Sequence, residues 1–145
     1  MTIVLDANVA VSLAIDPKRA EPIARLMRTW KAASETLHAP SLLRYEVASA
    51  LTRAVVAGRL APTDADIAWD RIVRLPIVLH ELRDGPAVVA VARELRRESA
   101  YDASYVVLAQ QLETTVWTLD GPLARNAAGS SLPVRLIDTA RSRRA

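Results

Sequence analysis

Thr2-Ile3-Val4-Leu5-Asp6-Ala7-Asn8 is a β-branched and aliphatic run closed by an acid. The run from Thr2 to Leu5 has the length and composition of a buried strand, and residues 7–15 after it read as a helix that Asp16-Pro17 stops. The same strand-then-helix alternation recurs outward from this stretch. Residues 37–39, 77–82, 115–119 and 134–137 are predicted strands. Predicted helices cover 20–33, 42–57, 87–98, 102–112 and 121–127, with Gly58 a left-handed stop for the second of these. A further helix begins at a capping-box-like Thr63 to Asp66 and ends near Leu75-Pro76. Strands separated by helices imply a parallel sheet covered on both faces, a three-layer α/β/α sandwich. One domain spanning 1–140 is expected, followed by a basic tail at 141–145.

Composition narrows the class. With 145 residues and 51% hydrophobic content, the chain removes roughly two-thirds of its unfolded surface from water, enough for one core. Cysteine is absent, which excludes disulfides and thiolate metal sites and suggests a cytoplasmic, reducing location. Asp6 interrupts the first apolar run far short of a membrane span, and no targeting segment is visible. The net charge of +3 rests on arginine, since Lys18 and Lys31 are the only lysines. Arginine's planar fork suits phosphate, although such a surface is equally well read as solvated. Aromatic content of 4% without phenylalanine argues against a stacking platform for single strands.

Four acids stand where an α/β sheet gathers ligands. Asp6 and Asp120 each follow an apolar strand directly, so both are expected in one crevice beyond the strand ends. Glu46 sits on a helix among Leu42, Leu43, Ser49 and Ala50, and Asp102 opens another helix. Taken singly, Asp6, Asp102 and Asp120 are equally read as helix caps, and Glu46 as a rim acid paired with Arg53. Together they repel one another unless a cation neutralises them. Oxygen ligands select Mg2+ or Mn2+, and His38 and His80 are too few and too scattered for a softer metal. Asn8 and Ser12, one helical turn apart, and Thr118, on the strand face of Asp120, are candidates for orienting the acids.

Four stretches taken as a set resemble the PIN-domain ribonucleases, most closely the VapC toxins of type II toxin-antitoxin systems. They are Ile3-Val4-Leu5-Asp6-Ala7-Asn8, Pro40-Ser41-Leu42-Leu43-Arg44-Tyr45-Glu46-Val47, Tyr101-Asp102-Ala103-Ser104-Tyr105-Val106-Val107-Leu108-Ala109 and Trp117-Thr118-Leu119-Asp120. Carried over by position, Asp6, Glu46, Asp102 and Asp120 match the family's acidic quartet, with Asn8 and Thr118 as polar companions. The resemblance implies an endoribonuclease in which Mg2+ or Mn2+ activates a water against an RNA phosphodiester, the RNA being a transfer or ribosomal RNA. It also implies a VapB-type antitoxin as partner and a homodimer. After Asp120, Gly121-Pro122-Leu123-Ala124-Arg125 lacks the further acid some relatives use for a second ion, so one or two ions stay open.

Arg44, Arg93, Arg96, Arg97 and Arg125 are candidate contacts to the RNA backbone, with solvated helix faces the equal alternative. The apolar stripe Ile23, Leu26, Met27, Trp30 is either core or the lining of an antitoxin groove. A receiver domain requires an acid pair after its first strand and a late lysine; a haloacid-dehalogenase phosphatase requires an acid where Asn8 stands. Neither requirement is met. The four glycines are unclustered, which excludes a Gly-rich phosphate loop. A housekeeping RNA-processing nuclease and a catalytically silent binding module remain as alternatives to the toxin.

Overall fold

β1 (Thr2–Leu5) occupies the centre of the sheet because both of its faces are apolar: Val4 packs into one core, Ile3 and Leu5 into the other. The computed structural model describes residues 1–140; the basic tail 141–145 lies outside the described residues. After β1 come α1 (Ala7–Ile15), α2 (Ala20–Ala32), β2 (Thr36–Pro40), α3 (Leu42–Val56) and α4 (Pro62–Val73). The chain continues through β3 (Ile77–His80), α5 (Gly85–Glu94), α6 (Tyr101–Gln111), β4 (Val116–Thr118), α7 (Gly121–Gly129) and β5 (Val134–Leu136). The strands are all parallel in the order β3-β2-β1-β4-β5, with Thr2 opposite Thr36 and Val4 opposite Val116.

The larger core joins Val4 to Leu43, Val47 and Leu51 of α3, Val88 and Val91 of α5, and Val106 and Leu108 of α6. The smaller one lies under α2, where Ile23 and Trp30 meet Leu5, Val9 and Leu37, and Trp30 stacks edge-on against Trp117 at 5.2 Å between ring centroids. Leu26 and Met27 pack against the same cluster, so the α2 stripe is mainly core, although Met27 and Trp30 also border a groove of about 420 Å³ with Leu37 and Val78. Together the two cores make the three-layer sandwich expected from the strand-helix alternation. Among the described residues, no helix is long and apolar enough to cross a membrane.

The structure departs from the sequence reading in three places. No capping box opens α4: the helix starts at Pro62, with Ala61 before it and no side-chain cap. Secondly, α5 ends at Glu94 and not at 98, because Arg96 turns into the left-handed region at φ 55°. Thirdly, β2 and β3 are neighbours, which brings the two histidines together with His38 Nδ1 2.8 Å from His80 Nε2. Among the described residues no third metal-ligating group joins that pair.

The ends of α2, α3, α5, α6 and α7 share one device. Ser34, Gly58, Arg96, Glu113 and Ser131 all have positive φ. At each, the residue's own N–H reaches back three residues and the next N–H reaches back five, as in Glu113 N–H to Gln110 O at 3.2 Å and Thr114 N–H to Ala109 O at 2.8 Å. Four of these five left-handed residues carry a side chain that glycine would lack. Glu113→Gly is therefore expected to stabilise the fold by roughly 0.5–1 kcal/mol and Gly58→Ala to destabilise it by a similar amount, both read from urea unfolding midpoints.

Candidate metal centre

Between β1 and β4 the strand order reverses, and the crevice beyond their carboxyl ends receives Asp6 and Asp120. The Asp6 N–H donates to Trp117 O at 3.0 Å, which ties the end of one strand to the other. Thr118 then links the acids. Its fully buried hydroxyl donates to Asp6 Oδ2 at 2.7 Å and accepts from the Asp120 N–H at 3.0 Å and from Asn8 Nδ2 at 3.2 Å. Asn8 Oδ1 in turn accepts the Leu119 N–H at 3.2 Å. One hydroxyl and one amide thus orient both strand-end carboxylates.

Helix capping accounts for only one of the acids. Asp120 Oδ1 accepts the Leu123 N–H at 3.0 Å at the start of α7, which leaves Oδ2 directed elsewhere. Asp6 precedes α1 without a side-chain cap bond, and Asp102 lies inside the first turn of α6, where Ala100 holds the cap position. Glu46 projects from α3 with Oε1 buried and without a hydrogen-bond partner. The Tyr105 hydroxyl, on α6, is also buried, and it interacts with the Glu46 carboxylate without reaching strict hydrogen-bond geometry.

These carboxylates act on one another. Burial pushes Asp6 from 3.8 up to about 7; the Thr118 hydrogen bond opposes this, and the charges of Glu46 and Asp102 add to it. Glu46 is raised by burial and by Asp102, against the nearby Tyr105 hydroxyl and the charge of Arg53. Asp102 is raised by burial, lowered by Arg97 and raised again by Asp120. Tyr105 is itself pushed up by burial and by the charges of Glu46 and Asp6, so it stays a neutral phenol. A continuous chain of charge coupling therefore runs through the four acids.

The donor set suits a hard divalent cation: four carboxylates, one orphaned buried oxygen on Glu46, and repulsion that a cation would relieve. Among the described residues no three of these groups converge tightly enough to hold an ion as they stand. Arg97 explains part of that spacing, since its guanidinium lies 3.6 Å from both Asp102 Oδ2 and Asp120 Oδ2. The sequence suggested Arg97 for RNA and left Tyr105 unassigned; the structure puts both at the acids. Ser12 makes no side-chain hydrogen bond among the described residues and does not join the Asn8–Thr118 network. Arg125 folds back over Gly121, its Nη1 3.1 Å from where a Cβ would stand there, which keeps it beside Asp120. Arg44, Arg93 and Arg96 are exposed. A separate apolar groove of about 380 Å³, bounded by Tyr45, His80, Leu82 and Tyr101, is not lined by the acids.

Residues 3–129 match the PIN domain. The chain belongs to the PIN-domain family and, within it, to the VapC group. Ribonuclease VapC12 of Mycobacterium tuberculosis is 31% identical over 135 residues, covering 93% of this chain and 98% of its own. VapC ribonuclease Mb0985 of Mycobacterium bovis is 34% identical over 121 residues, covering 81% of this chain and 85% of its own. The crystal structure of PAE2754 from Pyrobaculum aerophilum superposes with a TM-score of 0.70 at 22% identity, over 99% of this chain and 88% of that one. FitAcB from Neisseria gonorrhoeae gives 0.53 at 19% identity, over 94% and 97%. These two structures confirm the fold.

In the ion-free protein, folded Asp6 keeps its proton up to about 7, whereas the unfolded residue releases it near 3.8. The folded state therefore binds more protons between those values, and stability falls as pH rises through that window, by on the order of 1 kcal/mol per pH unit. Glu46 and Asp102, also raised, act in the same direction. Asp6→Asn is expected to flatten the slope in chelator, measured by urea unfolding at stepped pH. Thr118→Val, which strips Asp6 and Asn8 of their shared partner, is expected to cost about 1–3 kcal/mol in the same assay.

Proposed function

We propose that this protein is a Mg2+- or Mn2+-dependent endoribonuclease, the toxin of a toxin-antitoxin pair. The observation that carries the reading is Asp6: a carboxylate buried at the sheet's switch point, held by Thr118 and charge-coupled to Glu46 and Asp102. So arranged, an acid costs stability in the ion-free chain, and the cost is recovered when a cation binds. The relatives named as VapC ribonucleases support RNA as the substrate.

Asp6, Glu46, Asp102 and Asp120 would hold the ion through oxygen. A bound divalent cation supplies Lewis acidity, activating a water and stabilising charge on the leaving oxygen of a phosphodiester. The chain's own groups do the rest. Thr118 and Asn8 keep the strand-end carboxylates aimed into the crevice, and Tyr105, unable to ionise, keeps apolar surface against Glu46 and Asp6. Arg125 beside Asp120, with Arg44 and Arg93 further out, would contact RNA phosphates, contacts that weaken with added salt. A VapB-type antitoxin partner follows from the VapC relationship; a transfer or ribosomal RNA substrate, a homodimer and a cytoplasmic location complete the proposal.

Purified protein is expected to cut RNA in Mn2+ or Mg2+ and to stop in excess chelator. Asp6→Asn should lose cleavage by at least a hundredfold while its circular dichroism stays that of the parent. Full activity in that variant, or in chelator, would refute the assignment; no cleavage under any divalent cation would point to a silent binding module.

A further inference from the structure

Arg97 stands out because its position is built and its bonds are not. The left-handed turn at Arg96 and the N–H of Arg97 donating to Ala92 O at 3.1 Å fix its backbone at the end of α5. From there the side chain reaches two acids on different elements, Asp102 in α6 and Asp120 after β4, at 3.6 Å each. Yet Nε and Nη2, although buried, have no hydrogen-bond partner. Ion pairing at 3.6 Å, without hydrogen bonds from these two nitrogens, ties the guanidinium to the acids. Buried N–H groups without acceptors are unfavourable, so the arrangement is one the side chain can leave readily. It also has somewhere to go, since the side chain is 30% exposed.

We propose that Arg97 is the resident counter-ion of the acidic site: its guanidinium stands between Asp102 and Asp120 in the ion-free protein and withdraws when those carboxylates take a divalent cation. This rests on the metal-binding reading above. A guanidinium has donors and no acceptor, so it cannot share in ligation and can only compete for the same oxygens. Two cations within a few ångströms repel, so Arg97 sets how much free metal the site needs. As the nearest cation to both acids, it is the group on which metal affinity should depend most strongly.

The test is calorimetric titration of MnCl2 into chelator-stripped protein for the parent, Arg97→Gln and Arg97→Lys, with no RNA present. Arg97→Gln is expected to bind Mn2+ roughly tenfold more tightly than the parent, while Arg97→Lys, which keeps the charge, stays within about threefold. Uptake by Arg97→Gln alone supports the proposal in its strongest form. Equal or weaker binding by a folded Arg97→Gln, with the parent taking up the ion, overturns this inference and leaves the metal reading standing. If neither takes up Mn2+, both fall. Should Arg97→Gln misfold, the parent decides the matter: its Arg97 Nε resonance must shift as diamagnetic Mg2+ is titrated, and an unmoved signal overturns the proposal.

Discussion

The Thr118 hydroxyl is the contact on which the arrangement depends. A buried carboxylate beside other carboxylates is tolerable only if something orients it and something limits its charge. Thr118 orients it, donating to Asp6 while accepting from the backbone of Asp120 and the side chain of Asn8. Strand β4, only three residues long, could not place Asp120 reliably by ladder bonds alone. The hydroxyl joins the ends of β1 and β4 into one rigid corner, and the α/β sandwich serves to hold that corner in low-dielectric surroundings.

The acids differ in how they meet this constraint. Asp6 meets it by keeping a proton, Asp120 by capping α7, and Asp102 by lying near Arg97. Glu46 has the least direct support, with one buried oxygen outside strict hydrogen-bond geometry and the Tyr105 hydroxyl as its near polar neighbour. A bound cation would relieve the shared repulsion of all four, where structural explanations must treat each acid separately.

Much of this was legible in the residues, for a definite reason. Apolar runs closed by aspartate put Asp6 and Asp120 at strand ends, and a parallel sheet must bring such ends to one side. Polar companions two residues away, Asn8 and Thr118, had to share that space. The place of Arg97 beside the acids was not legible because helix-forming residues continue past Glu94, and a left-handed arginine leaves no mark where glycine would have. The histidines looked scattered because sequence distance says nothing of strand adjacency; the register of β2 against β3 alone brings them together. Tyr105 was invisible as a site residue since a tyrosine on an apolar helix face is ordinarily core, and its proximity to Glu46 depends on how α3 and α6 pack.

The left-handed turn after α5 also bears on how this protein can change over time. The stretch from Leu95 to Ala100 is a short bridge between two well-packed helices, and most of its side chains face solvent. Such bridges usually absorb insertions and deletions freely. This one should not: gaining or losing a residue there would leave both helices intact while swinging the guanidinium out of line with Asp102 and Asp120. Among descendants of this chain, the length of that bridge would be kept as strictly as the acids themselves, even where its letters drift.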